Sequence, residues 1–145
     1  MRLKHLLISF LLLAACGQKE ANPNEATPST PSEPEPLAEF IQFYEQFHQD
    51  SIFQMEHILF PLAGMPSMLT NEAIPSDFRW QREEWRMQKP LDPEGEFKQQ
   101  FSPVDDALII EYIVHQTGKY AMERRFAKLG EEWNLIYYSD LNAVK

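Results

Sequence analysis

Two tryptophans in a charge-rich stretch are the side chains of this sequence best suited to ligand binding. Trp80 and Trp85 are surrounded by nearly balanced charges: Arg79, Arg82, Glu83, Glu84 and Arg86. Indole rings suit half-hydrated sites, such as stacking surfaces for sugar rings or other apolar ligands. Core packing explains such rings equally well, and aromatic residues mixed with arginine are also typical of protein interfaces. Trp80 and Trp85 are therefore candidate ligand-binding residues, with a partner surface as the alternative.

Arg124 and Tyr137 complete the set of candidate ligand-binding residues. Arg124 is the one formal charge on the apolar face predicted for its strand, between Met122 and Phe126. A buried guanidinium needs a partner to offset its desolvation, and a bidentate carboxylate suits its geometry. We favour an internal ion pair or a strand end that reaches water; the alternative is a contact with an anion or a sugar acid. Tyr137 offers a ring with a polar tip.

Metal binding and catalysis find little support in the sequence. His48, Asp50, Glu56 and His57 offer nitrogen and oxygen ligands within ten residues, but their spacing matches no established metal motif. No glycine-rich phosphate loop, serine elbow or nucleophile with a matching base stands out. We therefore predict no catalytic residue, no cofactor and no metal, and expect a protein that is not an enzyme.

Cys16 is the only cysteine, and its position indicates what it does. Basic residues at the start precede the apolar run Leu6–Ala15, which has about half of the ~20 residues that a membrane-spanning helix needs. The sequence Leu13-Ala14-Ala15-Cys16 resembles the lipobox of bacterial lipoproteins; the alternative is an ordinary signal peptide with a chance cysteine. The resemblance implies that residues 1–16 are a signal peptide and that Cys16 carries lipid, palmitate included. We expect a lipid-anchored protein of the bacterial envelope, on a periplasmic or surface face of the outer membrane.

The composition of residues 17–36 predicts a disordered, proline-rich tether. This stretch holds five of the eleven prolines and no aliphatic or aromatic side chain larger than alanine, so it cannot bury enough surface to order itself. Twenty residues in an extended, proline-rich form would reach about 60 Å.

The formal net charge of −9 makes nucleic acid a poor partner. A single cysteine excludes an internal disulfide framework.

Residues 37–145 are long enough for one small domain. Apolar residues of Leu37–His48 recur at helical spacing, and Asp50-Ser51 can cap a second short helix that continues through about Gln54 to His57. Ile58–Leu62 predicts a short strand ended by proline, and weaker strand patterns lie near 78–81, 84–88 and 96–101. The clearest pattern is an antiparallel meander, with strands at Ala107–His115, Lys119–Lys128 and Glu132–Ser139.

Alternation along these last strands predicts which side chains face the aromatic helix, because residues two apart share a face. In the first strand the predicted core row is Leu108, Ile110, Tyr112 and Val114. In the second and third it is Tyr120, Met122, Arg124 and Phe126, then Trp133, Leu135 and Tyr137.

This order of elements resembles the cone-shaped α+β fold of nuclear transport factor two and ketosteroid isomerase, with N-terminal helices packed on a curved antiparallel sheet. Asp50-Ser51-Ile52-Phe53-Gln54, Phe60-Pro61-Leu62 and Trp133-Asn134-Leu135 are also similar to a family of uncharacterised Bacteroidetes lipoproteins assigned to that fold. The resemblance implies a lipid-anchored domain without an established activity. Isomerases of this fold need a carboxylate base and an acidic donor inside the cone, and no position here matches either role.

Three hypotheses for function follow. The first is a non-enzymatic binding module for a small ligand, a glycan or an envelope protein. The second is an isomerase- or hydrolase-type enzyme acting inside the cone. The third is an assembly subunit, a homodimer whose sheet face is covered by a second copy. The first two differ in whether a pocket contains a buried carboxylate or histidine with a shifted pKa facing a hydrogen-bond donor.

Overall fold

The computed structural model describes residues 35–68 and 75–144. Two helices precede a six-stranded sheet: α1 (Glu35–Gln49), α2 (Ser51–Glu56), β1 (Ile58–Met65), β2 (Arg79–Trp80), a 3-10 turn (Arg82–Glu84), β3 (Phe97–Asp105), β4 (Leu108–His115), β5 (Tyr120–Leu129) and β6 (Glu132–Ala143). The predicted signal peptide, its Cys16 and most of the predicted tether lie outside the described residues. Within the described ranges no helix is long and apolar enough to cross a bilayer.

The two helices follow from spacing and capping. Phe40, Tyr44 and Phe47 of α1 recur at helical spacing and are all buried. The helix begins two residues before the predicted start, at Glu35, and proline at its second position is tolerated because first-turn N–H groups have no intrahelical partner. The carboxylate of Asp50 then accepts hydrogen bonds from the amides of Ile52 (2.8 Å) and Phe53 (3.1 Å), and this cap starts α2.

The strands lie in the order β2-β1-β6-β5-β4-β3. All neighbouring strands are antiparallel except β1 and β6, which are parallel. Gly118 and Gly130 have positive φ angles of 69° and 68° in the turns that join β4 to β5 and β5 to β6, where a residue without Cβ avoids strain. The predicted meander is therefore present, and it is extended on both sides by β3 and β1.

Two of the strand predictions were wrong. Residues 84–88 form no strand; the 3-10 turn and an extended segment occupy this region instead. Pro61 does not end β1, which continues to Met65. The pairing of β1 with β6 is interrupted between Ile58 and Ala63, so the missing N–H of Pro61 falls where the regular ladder is already broken.

The predicted core face was wrong in β4 and at the end of β6. In β4, Ile109, Glu111 and Ile113 are buried, whereas Leu108, Ile110, Tyr112 and Val114 lie on the outer face. In β6 the ladder with β5 steps from Phe126 opposite Leu135 to Arg125 opposite Tyr137, and the extra residue shifts the alternation. Tyr138 therefore faces inward, and Tyr137 lies outward with the Arg125 guanidinium 4.4 Å from its ring centre.

Aromatic rings fill the space between α1 and the sheet. The Phe40 ring centre lies 5.2 Å from those of Phe126 and Trp133 and 5.4 Å from that of Phe101, all in edge-on orientations. Edge-to-face packing is the favourable arrangement for such rings. The interior beneath α1 is therefore a packed core rather than an open cavity.

Candidate functional site

An open cleft of about 530 Å³ lies beside the β1–β2 edge of the sheet. Its lining comes from β2, the 3-10 turn, the segment after it and β6: Trp80, Glu84, Trp85, Arg86, Gln88, Tyr138 and Asp140. A volume between about 300 and 1,000 Å³, with aromatic walls and a few polar groups, is typical of small-molecule sites. This cleft is the candidate functional site.

Gly64 makes room for one wall of the cleft. It pairs with Tyr138 in the parallel β1–β6 ladder, and a Cβ at this position would lie 2.6 Å from Nε1 of Trp80. The Trp80 indole crosses the strand at this point and donates a hydrogen bond to the Tyr138 carbonyl at 3.0 Å. Any side chain at residue 64 would clash with the Tyr138 carbonyl and with the Trp80 ring.

Gln54 holds the opposite wall. This side chain is 1% exposed, and its Nε2 donates to the carbonyls of Phe47 (2.7 Å) and Gln88 (2.9 Å). Its Oε1 accepts from the Trp85 indole (3.2 Å) and from the Gln88 amide (2.8 Å). Four bonds are the full capacity of an amide side chain, so Gln54 fixes residues 85–88 against the helices.

Tyr138 and Asp140 form the floor of the cleft on β6. The Tyr138 hydroxyl donates to Oδ1 of Asp140 at 3.0 Å, and the Leu141 amide donates to the same oxygen at 2.7 Å. Burial, followed by the nearby Asp140 carboxylate, raises the pKa of Tyr138. Tyr138 is therefore a neutral donor at physiological pH, and its ring centre lies 5.4 Å from those of both Trp80 and Trp85.

The four candidate ligand-binding residues do not form one site. Trp80 and Trp85 line the same cleft. Arg124 does not, because it is buried in the interior with 3% of its surface exposed. Tyr137 lies on the outer face of the sheet. The sequence analysis missed Gln54, Tyr138 and Asp140, and only the β6 irregularity brings the last two to the cleft.

Arg124 belongs to a buried polar network with Glu111. Their atoms Nε and Oε2 are 3.3 Å apart in an ion pair, although the geometry is not that of a hydrogen bond. The other carboxylate oxygen, Oε1, accepts from the Tyr44 hydroxyl (2.7 Å) and from Gln99 Nε2 (2.6 Å). Glu111 and Arg124 are opposite each other in the β4–β5 ladder, so this pairing is the internal ion pair favoured from the sequence.

His48 completes the network as a neutral ring. Its Nδ1 lies 2.9 Å from the Tyr44 carbonyl, and its Nε2 is in contact with Nη1 of Arg124. Because the guanidinium only donates, Nε2 must accept and Nδ1 must carry the proton. Burial and the Arg124 charge lower the pKa of His48 to about 4. Burial also raises the pKa of Tyr44.

Of the remaining candidate metal ligands, Glu56 is exposed at the end of α2, and the other two are engaged elsewhere. Asp50 caps α2, and Nδ1 of His57 lies 2.8 Å from the Phe53 carbonyl while its ring stacks on that of Phe53. Across residues 35–68 and 75–144, no three histidine, aspartate or glutamate side chains converge as metal ligands would.

Comparison with known proteins identifies the fold. No family model and no curated protein sequence matches the chain. A cystatin-like protein from Bacteroides caccae aligns with a TM-score of 0.53 and 15% identity over 69% of this chain and 74% of that one. An NTF2-like protein from Bacteroides fragilis aligns with a TM-score of 0.50 and 21% identity over 70% of this chain and 46% of that longer one. The chain therefore has the α+β fold of nuclear transport factor two, as the sequence resemblance predicted.

Proposed function

We propose that this chain is a lipid-anchored binding module of the bacterial envelope, and that it binds a small ligand or a glycan in the cleft between Trp80, Trp85 and Tyr138. The observation that carries this proposal is the contrast between an open, polar and aromatic cleft and an interior filled by its own rings. Binding chemistry needs an accessible surface, and the cleft offers one.

The same contrast weighs against the enzyme alternative. Isomerase-type chemistry inside the cone needs a carboxylate base and an acidic donor that both reach the substrate. Glu111 and Tyr44 are of suitable types, but Glu111 has no exposed surface and is paired with Arg124. Neither residue lines the cleft. A substrate would have to displace the aromatic core to reach them.

Lipid anchoring is the second part of the proposal and is supported by the sequence Leu13-Ala14-Ala15-Cys16. The acidic, proline-rich residues 17–36 would hold the cleft up to about 60 Å from the membrane. The test is labelling with radioactive palmitate in a bacterial host, for the wild-type chain and for Cys16→Ser. We expect label only in the wild type, in the membrane fraction; equal labelling of the variant would contradict the anchor.

The binding part is tested by screening small polar compounds and envelope glycan fragments for protection against thermal unfolding. Ligands that raise the wild-type Tm should do so less for Trp80→Ala. They should act equally on Tyr137→Ala, which removes a ring from the other face of the same sheet. Ligands that protect all three proteins equally would place binding outside the cleft.

A homodimer is the second candidate, and the outer sheet face supports it. The apolar row of β4 lies there, and next to it is a shallow hollow of about 320 Å³ lined mainly by apolar groups, among them Tyr112, Val114 and Ala121. Tyr112 is 37% exposed. Sedimentation velocity at two concentrations tests the dimer: it predicts association that Tyr112→Glu abolishes, whereas a monomer at both concentrations would count against it.

A further inference from the structure

The hydrogen bonds within the cleft leave a specific set of polar groups available to a ligand. Both indole N–H groups are used, that of Trp80 by the Tyr138 carbonyl and that of Trp85 by Gln54. Oδ1 of Asp140 is occupied by the Tyr138 hydroxyl and the Leu141 amide. The tryptophans therefore present apolar ring surface to a ligand rather than hydrogen-bond donors.

The polar groups that stay available to a ligand include two acceptors and one donor group. Oδ2 of Asp140, the carboxylate of Glu84 and the guanidinium of Arg86 have no hydrogen-bond or ion-pair partner within residues 35–68 and 75–144. Carboxylates only accept, and a guanidinium only donates. A ligand that uses all three must supply donors and acceptors around one apolar surface.

The cleft combines two carboxylates with one guanidinium, so an ion of either sign leaves part of it unpaired. A small anion would meet like charge at Glu84 and Asp140, and a small cation, although attracted to those two, would meet like charge at Arg86 and leave its donors unused. Hydroxyl groups avoid this conflict, because each is both a donor and an acceptor. A ring with hydroxyls around its edge and C–H groups on its face also uses the indole surface.

We infer that the cleft binds a neutral saccharide, with Trp80 as the stacking surface and with Asp140, Glu84 and Arg86 bonded to ring hydroxyls. This inference rests on the proposed binding function and names the ligand class of the same site. Free sugars and the chains of an envelope polysaccharide share this chemistry. A cleft of about 530 Å³ falls in the size range of small-molecule sites.

The test is calorimetric titration of the full chain in a detergent without a sugar headgroup. The probes are neutral mono- and disaccharides, longer oligomers of the same sugars, glucosamine as the cationic sugar, glucuronate as the anionic one and tetramethylammonium. We expect the neutral sugars to bind more tightly than every charged probe. A disaccharide that binds as tightly as longer oligomers would indicate free sugars, and affinity that rises with length would indicate a polysaccharide.

Three variants and one control locate the contacts. Trp80→Ala should weaken binding by about tenfold, the worth of one aromatic contact, and Trp80→Phe should retain part of the affinity. Asp140→Asn keeps an oxygen that can accept from Tyr138, but it replaces Oδ2 by a donor and removes the carboxylate charge, so it should weaken binding by about tenfold or more. Tyr137→Ala is the matched control and should bind as the wild type does. Melting curves for each variant establish that it is folded.

The outcomes separate this inference from the proposed function. Charged probes that bind more tightly than neutral sugars, with Trp80→Ala weakening them, would overturn the saccharide inference and leave the binding module intact. If neutral sugars bind all variants equally, binding does not occur in the cleft, and both proposals are wrong about the site. An absence of binding by every probe, together with no thermal protection by any compound of the wider screen, would overturn both.

Discussion

The contact between His48 and Arg124 predicts a specific loss of stability in acid. The pKa of His48 is about 4 in the folded chain, against an ordinary value of 6.5, because the ring is buried beside a guanidinium. Between these two values the unfolded chain binds a proton that the folded chain excludes. Stability therefore falls as pH decreases from about 6.5 to about 4, and linkage over pH 7 to 4.5 gives a loss of about 2 kcal/mol from this residue.

The perturbation is His48→Gln, which removes the titrating group and keeps a side chain able to accept from Arg124. The measurement is the free energy of unfolding in urea at pH 7 and at pH 4.5, followed by tryptophan fluorescence. We expect the wild type to lose about 2 kcal/mol more than His48→Gln over this interval. The groups around His48, namely Tyr44, Glu111 and Arg124, are the same in both proteins, so their own contributions largely cancel.

His115→Gln is the control. His115 lies at the end of β4, with Nε2 3.6 Å from a carboxylate oxygen of the exposed Glu96, and this variant leaves the buried network intact. It should show the full acid loss of the wild type. If His48→Gln also shows the full loss, the buried histidine does not carry the effect and the reasoning from its environment is refuted.

Three further predictions follow from the packing and the buried charges. Phe40→Ala, which removes a fully buried ring from the centre of the core, should lower the free energy of unfolding by about 3–5 kcal/mol in urea titrations; a loss below 1 kcal/mol would contradict the packed interior. Arg124→Met should cost about 3–5 kcal/mol because it leaves the Glu111 carboxylate buried without its counter-charge. Adding Glu111→Leu should recover only part of that loss, because it also removes the acceptor of the buried Tyr44 hydroxyl; additive losses in this double-mutant cycle would argue against the ion pair. Gly64→Ala places a Cβ against the Tyr138 carbonyl and the Trp80 indole, so it should lower the Tm and shift the tryptophan emission. Gly118→Ala meets no atom within 4 Å but is strained at a φ of 69°, so it should lower the Tm without shifting the emission; identical emission spectra for the two variants would show that the indole does not cross Gly64.

Local patterns predicted most of the elements because their physical causes are local. The spacing of Phe40, Tyr44 and Phe47 is enough to define α1, and Asp50 caps α2 through amides two and three residues away. Gly118 and Gly130 lie where the turns of the meander need positive φ. None of these features depends on distant parts of the chain.

The face of β4 could not be predicted from alternation. One alternating row is entirely apolar, whereas the row that is buried combines Ile109 and Ile113 with Glu111 and His115. Alternation alone therefore favours the wrong row for the core. The buried position becomes favourable only because Arg124 lies opposite Glu111 in the ladder, with Tyr44 and Gln99 as further donors. Strand register is a long-range property, and it decides whether a charge in a strand has a partner.

The cleft could not be predicted from the sequence either, because it depends on contacts between residues that are still further apart in the chain. Its walls meet because Gly64 admits the Trp80 indole, Gln54 binds residues 85–88, and an extra residue in β6 turns Tyr138 inward and Tyr137 outward. The sequence alone determined the chemistry that is available: an acidic chain with one cysteine in a lipobox-like context and two tryptophans among charges. Only the tertiary structure decided which of these side chains share a surface. A site is defined by the distances between its side chains, and those distances depend on strand register and on packing between residues that are far apart in the sequence.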